Sequence, residues 1–248
     1  MFPGIMVCWN KRKFCPRESL CSMLERCHMS KMSPILPDLR FPRLPRGLSL
    51  FTAAYLTAAI IGAVRTGNGE FVFYIVVLLI LVAAVLEVHR RVRLSPLALW
   101  CLSVWGLVHM AGGLLPVPES WPINGEIRVL YSWWLIPGLF KFDQLVHIYG
   151  FAVMCLVCWE GLRAILRSVG QSNPEPTLGL MVLCVAASAG FGALNEVIEF
   201  AATLAVPKTN VGGYANTGWD LVSNLAGAIL AAVAIRARWL VRSRKAGA

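Results

Sequence analysis

The chain has 248 residues, of which 57% are hydrophobic and only 15% are charged, and its mean hydropathy is +0.65. A soluble domain of this length needs a charged surface that this composition does not supply, so the sequence predicts an integral membrane protein. The formal net charge of +10 would indicate nucleic-acid binding in a soluble protein. Here the basic residues are explained by membrane topology, and we expect no nucleic-acid partner.

The first 47 residues differ from the rest, because they are basic and hold four of the eight cysteines. They lack the apolar core of a signal peptide, and their cysteine spacing is not that of a zinc site. We expect residues 1–47 to be a disordered cytoplasmic segment, although Met32 is an alternative native start. Residues 48–240 form the predicted transmembrane domain, and residues 241–248 form a basic cytoplasmic tail.

Six apolar stretches are long enough to cross about 30 Å of hydrocarbon as helices. Backbone polar groups must be paired inside lipid, so we predict an all-α polytopic bundle of six transmembrane helices. The stretches are residues 48–64, 71–88, 95–115, 142–162, 178–206 and 217–240. Nineteen of the 23 Lys and Arg residues fall on one side of this arrangement. The positive-inside rule therefore predicts that both termini are cytoplasmic, and the basic ends suit contact with anionic membrane lipids.

The longest connection on the predicted external side is residues 116–141, which contains three tryptophans and Tyr131. Such aromatic residues are typical of the membrane interface, and we expect part of this segment to lie flat as a short helix. The fifth stretch contains the small-residue run AASAGFGA at 186–193. Small residues let helices approach closely, so we expect this span to be central to the bundle.

The last four stretches carry a set of polar and ionisable side chains. In chain order these are His109, Asp143, His147, Asn195, Glu196, Glu199, Asp220 and Asn224. Such groups are costly in hydrocarbon, so they usually face the bundle interior and serve a function. The helical rise places four of them, one from each stretch, roughly 8–10 Å below the extracytoplasmic end of its helix. A shared depth predicts one polar pocket.

Some members of this set also fit ordinary structural roles. Asp143 could cap the start of its helix, and Asp220 is the fourth residue of the capping-box pattern Thr217-Gly-Trp-Asp220. His109 could be a buried hydrogen-bonding residue. Capping does not explain Glu196 and Glu199, because they lie near a helix C-terminus, where the helix dipole disfavours a carboxylate.

The order of these motifs resembles two related groups of bacterial membrane proteins. Asp143-Gln-Leu-Val-His147 and Asp220-Leu-Val-Ser-Asn224-Leu-Ala-Gly227 are similar to motifs of the VanZ-like family. His109-Met-Ala-Gly112-Gly113 and Asn195-Glu196-Val-Ile-Glu199 resemble those of the YjdF-type inner-membrane family. The resemblance covers about residues 95–235 and implies a location in the bacterial inner membrane. Some VanZ-like members are linked to glycopeptide-antibiotic resistance, which suits an outward-facing site, but the resemblance implies no particular reaction.

Three functions stay open on the sequence. The first is an enzyme acting on a lipid or lipid-linked envelope substrate with a divalent metal such as Zn²⁺ or Mn²⁺. Its expected metal ligands are His109, His147 and Glu199, its catalytic residues are Glu196, Asp143 and Asp220, and its substrate-binding residues are Asn195 and Asn224. The second is a proton- or ion-coupled transporter. The third is a structural or partner-binding subunit.

Overall fold

A computed structural model describes residues 42–67, 69–207 and 209–246 of the chain. Its six long helices confirm the predicted spans, and each is long and apolar enough to cross a membrane. They are α1 (Arg46–Thr66), α2 (Gly69–Val92), α3 (Pro96–Leu114), α4 (Phe142–Ser168), α5 (Leu178–Ala205) and α6 (Tyr214–Ala246). Most of the predicted N-terminal segment, with its cysteines and Met32, lies outside the described residues.

The helices alternate in direction, which gives the bundle two distinct ends. The hairpin end carries residues 116–141 and 206–213, and the terminal end carries the first and last described residues. Apolar side chains cover much of the outside of the bundle, as expected of helices that face lipid. Examples from three helices are Leu79, Ile80, Val182, Leu183, Leu230 and Val233, all between 47% and 64% exposed.

The connection formed by residues 116–141 ends in a short antiparallel hairpin. A three-residue 3-10 turn at Leu130–Ser132 leads into β1 (Trp134–Ile136), which pairs with β2 (Phe140–Lys141). Gly138 lies between the strands with a φ of +72°, a left-handed conformation that glycine adopts without steric cost. The expected short helix is therefore no more than one 3-10 turn. The hairpin runs directly into α4 and fixes where that helix begins.

Two helix starts differ from the sequence expectation. Helix α6 begins at Tyr214, so Thr217 lies inside the helix and the capping box proposed for Asp220 is wrong. At the start of α4, the Oε1 atom of Gln144 accepts a hydrogen bond from the backbone N–H of Lys141 at 2.8 Å. Gln144 thus makes the contact that had been considered for Asp143. Both aspartates are free of a capping role.

Glycines let α4, α5 and α6 approach closely. A Cβ atom at Gly227 would lie 2.1 Å from the carbonyl oxygen of Ile148, so α6 and α4 nearly touch through their backbones. A Cβ atom at Gly192 would lie 2.7 Å from Nδ2 of Asn224. Helix α4, however, is more buried than α5, because 39% of the residues in its apolar segment are buried in the protein, against 22% for α5. The expectation that the fifth span is central is therefore wrong, because its small residues serve one face only.

Candidate functional site

His147 lies at the centre of the buried polar side chains. It projects from the second turn of α4 and is only 7% exposed. Its Nδ1 atom lies 2.8 Å from Oδ1 of Asn224 and 3.8 Å from Oε1 of Glu196. Its Nε2 atom lies 3.5 Å from Oδ1 of Asp143 and 3.9 Å from Oε1 of Glu199. One imidazole therefore contacts polar groups from α4, α5 and α6.

Two sets of side chains share His147 and are compact enough to hold a metal ion. In one set Asp143 and Asp220 join His147, and in the other Glu196 and Glu199 do so. Within each set the potential ligand atoms lie within 4.8 Å of one another. Helical spacing puts Asp143 on the same face of α4 as His147, and Glu196 on the same face of α5 as Glu199, because residues three or four apart lie on one helix face. Asp220 is contributed by α6. The two sets together contain five of the eight predicted site residues, His147 included.

Two polar side chains that the sequence did not single out complete the hairpin end of this cluster. Lys141, at the end of β2, is 7% exposed, and its Nζ donates to Oδ2 of Asp143 at 3.2 Å. The same ammonium donates to Oδ1 of Asn216, whose Nδ2 donates to Asp220. Asn216 stands four residues before Asp220, a spacing that would have indicated it had the helix been predicted to begin earlier. Nothing in the sequence pattern indicates that the hairpin turns Lys141 inward.

Three buried polar atoms of the cluster have no hydrogen-bond partner among the described residues. They are Oε2 of Glu196, Oδ1 of Asp220 and Nδ2 of Asn224. These side chains are 9%, 0% and 1% exposed, so bulk water does not reach them freely. Buried polar groups without partners are uncommon in folded proteins and call for an explanation such as an ion or a ligand. Two of the three atoms are acceptors that suit a cation.

The balance of charge in the cluster also indicates that it takes up positive charge. Four carboxyl groups, those of Asp143, Glu196, Glu199 and Asp220, surround one histidine and one lysine. Carboxylates this close together in a low-dielectric interior repel one another strongly. The cluster therefore needs further positive charge, supplied either by protons or by a bound cation.

The two asparagines hold members of the cluster in place. Asn195 Nδ2 donates to Oε1 of Glu199 at 2.7 Å, and Asn224 Oδ1 contacts Nδ1 of His147. Both residues were expected to bind substrate. In the structure their amides are already engaged with residues that could bind a metal, which is the arrangement of groups that orient ligands.

His109 lies outside both sets of potential ligands. Its Nδ1 atom is 2.5 Å from the hydroxyl of Tyr131, and its ring meets the edge of Tyr74 at a centroid distance of 5.8 Å. Burial raises the pKa of Tyr131 well above its ordinary value, with a further contribution from Asp143, so the hydroxyl keeps its proton and can donate to His109. A small cavity of about 10 Å³, lined by both histidines, separates His109 from His147.

A larger, mostly apolar cavity of about 410 Å³ runs beside the cluster. It lies between α5 and the three helices α1, α2 and α3, and Phe151 and Met154 of α4 also form part of its wall. At the hairpin end its wall includes Tyr74, His109, Asn195 and Glu199. The polar cluster therefore meets an apolar space on the α5 side, where Glu199 belongs to both.

A family model matches most of the chain, but its description gives no function. A family model described as "Predicted membrane protein (DUF2238)" matches residues 47–241, which include all eight predicted site residues. No curated protein and no solved structure matches the chain.

Proposed function

Since the chain belongs to the DUF2238 family of predicted membrane proteins, we propose a function within the bilayer, that of a metal-dependent enzyme acting on a lipid or lipid-linked envelope substrate. The observation that carries this proposal is the surrounding of His147 by four carboxyl groups, two of which have buried oxygens without partners. One imidazole with several carboxylates is a donor set that suits Zn²⁺ or Mn²⁺.

The proposed ligands are His147, Glu196 and Glu199. This revises the sequence-based set by replacing His109, which contacts Tyr131 instead, with Glu196. A divalent ion bound there supplies positive charge that can polarise a phosphoryl or acyl oxygen or activate water. Oδ1 of Asn224 would hold the Nδ1 side of His147 and leave Nε2 for the ion, while Asp143, held by Lys141, would add negative charge beside Nε2.

Asp220 and Asn224 line neither cavity, so we propose that they support the bound ion and its ligands and do not contact the substrate directly. Each combines near-complete burial with one polar atom that lacks a partner, Oδ1 of Asp220 and Nδ2 of Asn224. Nδ2 of Asn224 can donate to a carboxylate ligand, and Oδ1 of Asp220 can interact with the positive charge of the ion. Burial of these atoms makes such contacts strong, because water competes poorly for them.

We further propose that the hairpin end faces the outside of a bacterial inner membrane and that both termini are cytoplasmic. The asymmetry of Lys and Arg residues supports this orientation. The resemblance to VanZ-like and YjdF-type proteins supports the bacterial envelope as the setting. The polar cluster would then lie in the outer half of the bilayer, where envelope precursors and outer-leaflet lipids reach it.

A proton-coupled transporter is the second candidate function. It is favoured by the position of His147, since each ring nitrogen lies near carboxylate oxygens that could exchange protons with it. The cluster lies toward one end of the helices, however, whereas transporters usually bind at the midplane. Proton flux in liposomes that is abolished by His147→Ala in metal-free protein would favour this alternative.

Metal analysis of the purified full chain tests the proposed enzyme. After incubation with Zn²⁺ or Mn²⁺ and removal of excess ion, we expect wild type to retain a stoichiometric amount, and His147→Ala and Glu199→Ala to lose it. His109→Gln is the matched control, because His109 lies outside both sets of potential ligands, and it should retain the metal. Folded wild-type protein that retains neither ion would contradict the proposal.

A further inference from the structure

We infer that the cavity between α5 and helices α1–α3 is a binding groove for one hydrocarbon chain of a lipid, whose polar group lies against Asn195 and Glu199. This inference rests on the proposed function and deepens it, because it identifies the substrate class as a membrane amphiphile. It also specifies which part of the molecule meets the polar cluster.

The walls of the groove suit an apolar occupant. They are formed by side chains such as Leu48, Leu56, Leu78, Val82, Phe191 and Leu194. Thr52 and Ser103 also line the groove, but their hydroxyls are hydrogen bonded to each other at 2.6 Å. These hydroxyls therefore offer little to a polar ligand. The volume of the cavity, about 410 Å³, is also well above that of a packing defect.

The groove is about as long as half the thickness of the hydrocarbon core of a bilayer. Along α2 its lining runs from Tyr74 to Leu86, which at roughly 1.5 Å per residue is about 18 Å. Along α3 it runs from Leu99 to His109, which is about 15 Å on the same basis. Half of a hydrocarbon core of about 30 Å is about 15 Å. The groove thus accommodates a lipid chain along its axis.

The two ends of the groove differ, and this difference sets the direction of the occupant. Between the groove and the hairpin, a packed apolar cluster from four helices closes one end of the groove. Its buried members are Ala59, Ala63, Phe71, Tyr74, Ile75, Met110 and Ala202. Just below this cluster the wall carries Asn195 and Glu199, the latter 3.9 Å from His147. A polar group bound there directs its chain along the groove toward the terminal end.

The groove also has an open side. Leu81 of α2, and Phe191 and Leu194 of α5, line the groove and yet are 44%, 47% and 49% exposed. Side chains that are both lining and exposed mark the edge of an opening. In a membrane this opening faces lipid, so an amphiphile can enter sideways between α2 and α5 without leaving the bilayer.

Photo-crosslinking tests the groove. The probe is a phosphatidylglycerol with a diazirine near the end of one acyl chain, added to wild-type protein in liposomes, and crosslinked residues are mapped by mass spectrometry. We expect crosslinks on groove residues such as Leu78, Val82 and Leu86. Leu78→Trp should abolish them by filling the groove. Leu79→Trp is the matched control, since Leu79 is 47% exposed on the same helix, and it should leave groove labelling unchanged.

The design separates the possible failures. Val82→Trp provides a second block if Leu78→Trp does not fold, which thermal unfolding of each variant would reveal. Crosslinks spread evenly over exposed residues such as Leu79 and Val182, or equal groove labelling in wild type and Leu78→Trp, would overturn the inference. The metal content of the same samples is measured in parallel. Groove labelling in metal-free protein would support the groove and count against the metal-dependent enzyme, whereas bound metal without groove labelling would do the reverse.

Discussion

Replacement of Gly192 by alanine should disturb the polar cluster through a single methyl group. Gly192 lies on α5 opposite Asn224, whose Oδ1 contacts Nδ1 of His147 at 2.8 Å. The new Cβ would lie 2.7 Å from Nδ2 of Asn224 and 3.0 Å from its Cβ. Carbon atoms in good contact are about 3.5–4.0 Å apart, so Asn224 has to move or the helices have to separate. Either response weakens the contact between Asn224 and His147.

The magnitude follows from two opposing terms. Overpacking of a filled interior typically costs about 1–3 kcal/mol of unfolding free energy. Replacing glycine by alanine within a helix returns up to about 1 kcal/mol. Gly190→Ala is the control, because a Cβ there meets nothing within 4 Å. The Gly192→Ala protein should therefore be less stable than the Gly190→Ala protein by about 1–3 kcal/mol. If Asn224 orients His147, metal affinity should also fall about 10- to 100-fold.

Two measurements on matched samples check this prediction. Unfolding in detergent gives the difference in stability between the two alanine variants, and calorimetric titration with Mn²⁺ gives their metal affinities. Equal stability and equal affinity for Gly192→Ala and Gly190→Ala would refute the claim that Asn224 is packed into the cluster. A loss of stability without a loss of affinity would restrict Asn224 to a packing role.

Three further substitutions test contacts elsewhere in the bundle. Gly227→Ala should destabilise the protein by at least about 1–3 kcal/mol relative to Gly218→Ala. A Cβ atom at residue 227 would meet backbone atoms, whereas a Cβ atom at residue 218 would meet nothing within 4 Å. Thermal unfolding measures the difference. Tyr131→Phe should cost about 0.5–1.5 kcal/mol by removing the partner of a partly buried histidine nitrogen, yet should keep any bound metal. Unfolding and metal analysis of one sample check both parts. Ser95→Ala should cost about 0.5–2 kcal/mol in chemical unfolding, because Ser95 caps α3 and its hydroxyl also contacts Glu160 at 2.6 Å; an unchanged midpoint would contradict that role.

The sequence predicted the six helices well because hydropathy alone determines which segments enter a membrane. It also placed Asp143 beside His147, and Glu196 beside Glu199, since spacings of three and four residues fix one helix face. The shared depth of the polar residues in the membrane was enough to predict that the helices carrying them pack together. These elements depend on local periodicity, which a sequence displays directly.

Other parts of the cluster could not be predicted because they depend on the path of a connection. Lys141 was counted as an external charge, but the hairpin turns it inward to Asp143. Tyr131 was assigned to the membrane interface, but the 3-10 turn places its hydroxyl on His109. No periodic pattern specifies such a path. The expected role of His109 as a ligand depended on the same missing information.

Electron paramagnetic resonance of bound Mn²⁺ tests the central claim most directly. With ¹⁵N-labelled histidine, pulsed measurements detect magnetic coupling between the ion and a coordinating imidazole nitrogen. We predict such coupling in wild type and in His109→Gln, and its loss in His147→Gln. Coupling that persists in His147→Gln but disappears in His109→Gln would contradict the account and restore the ligand set expected from the sequence.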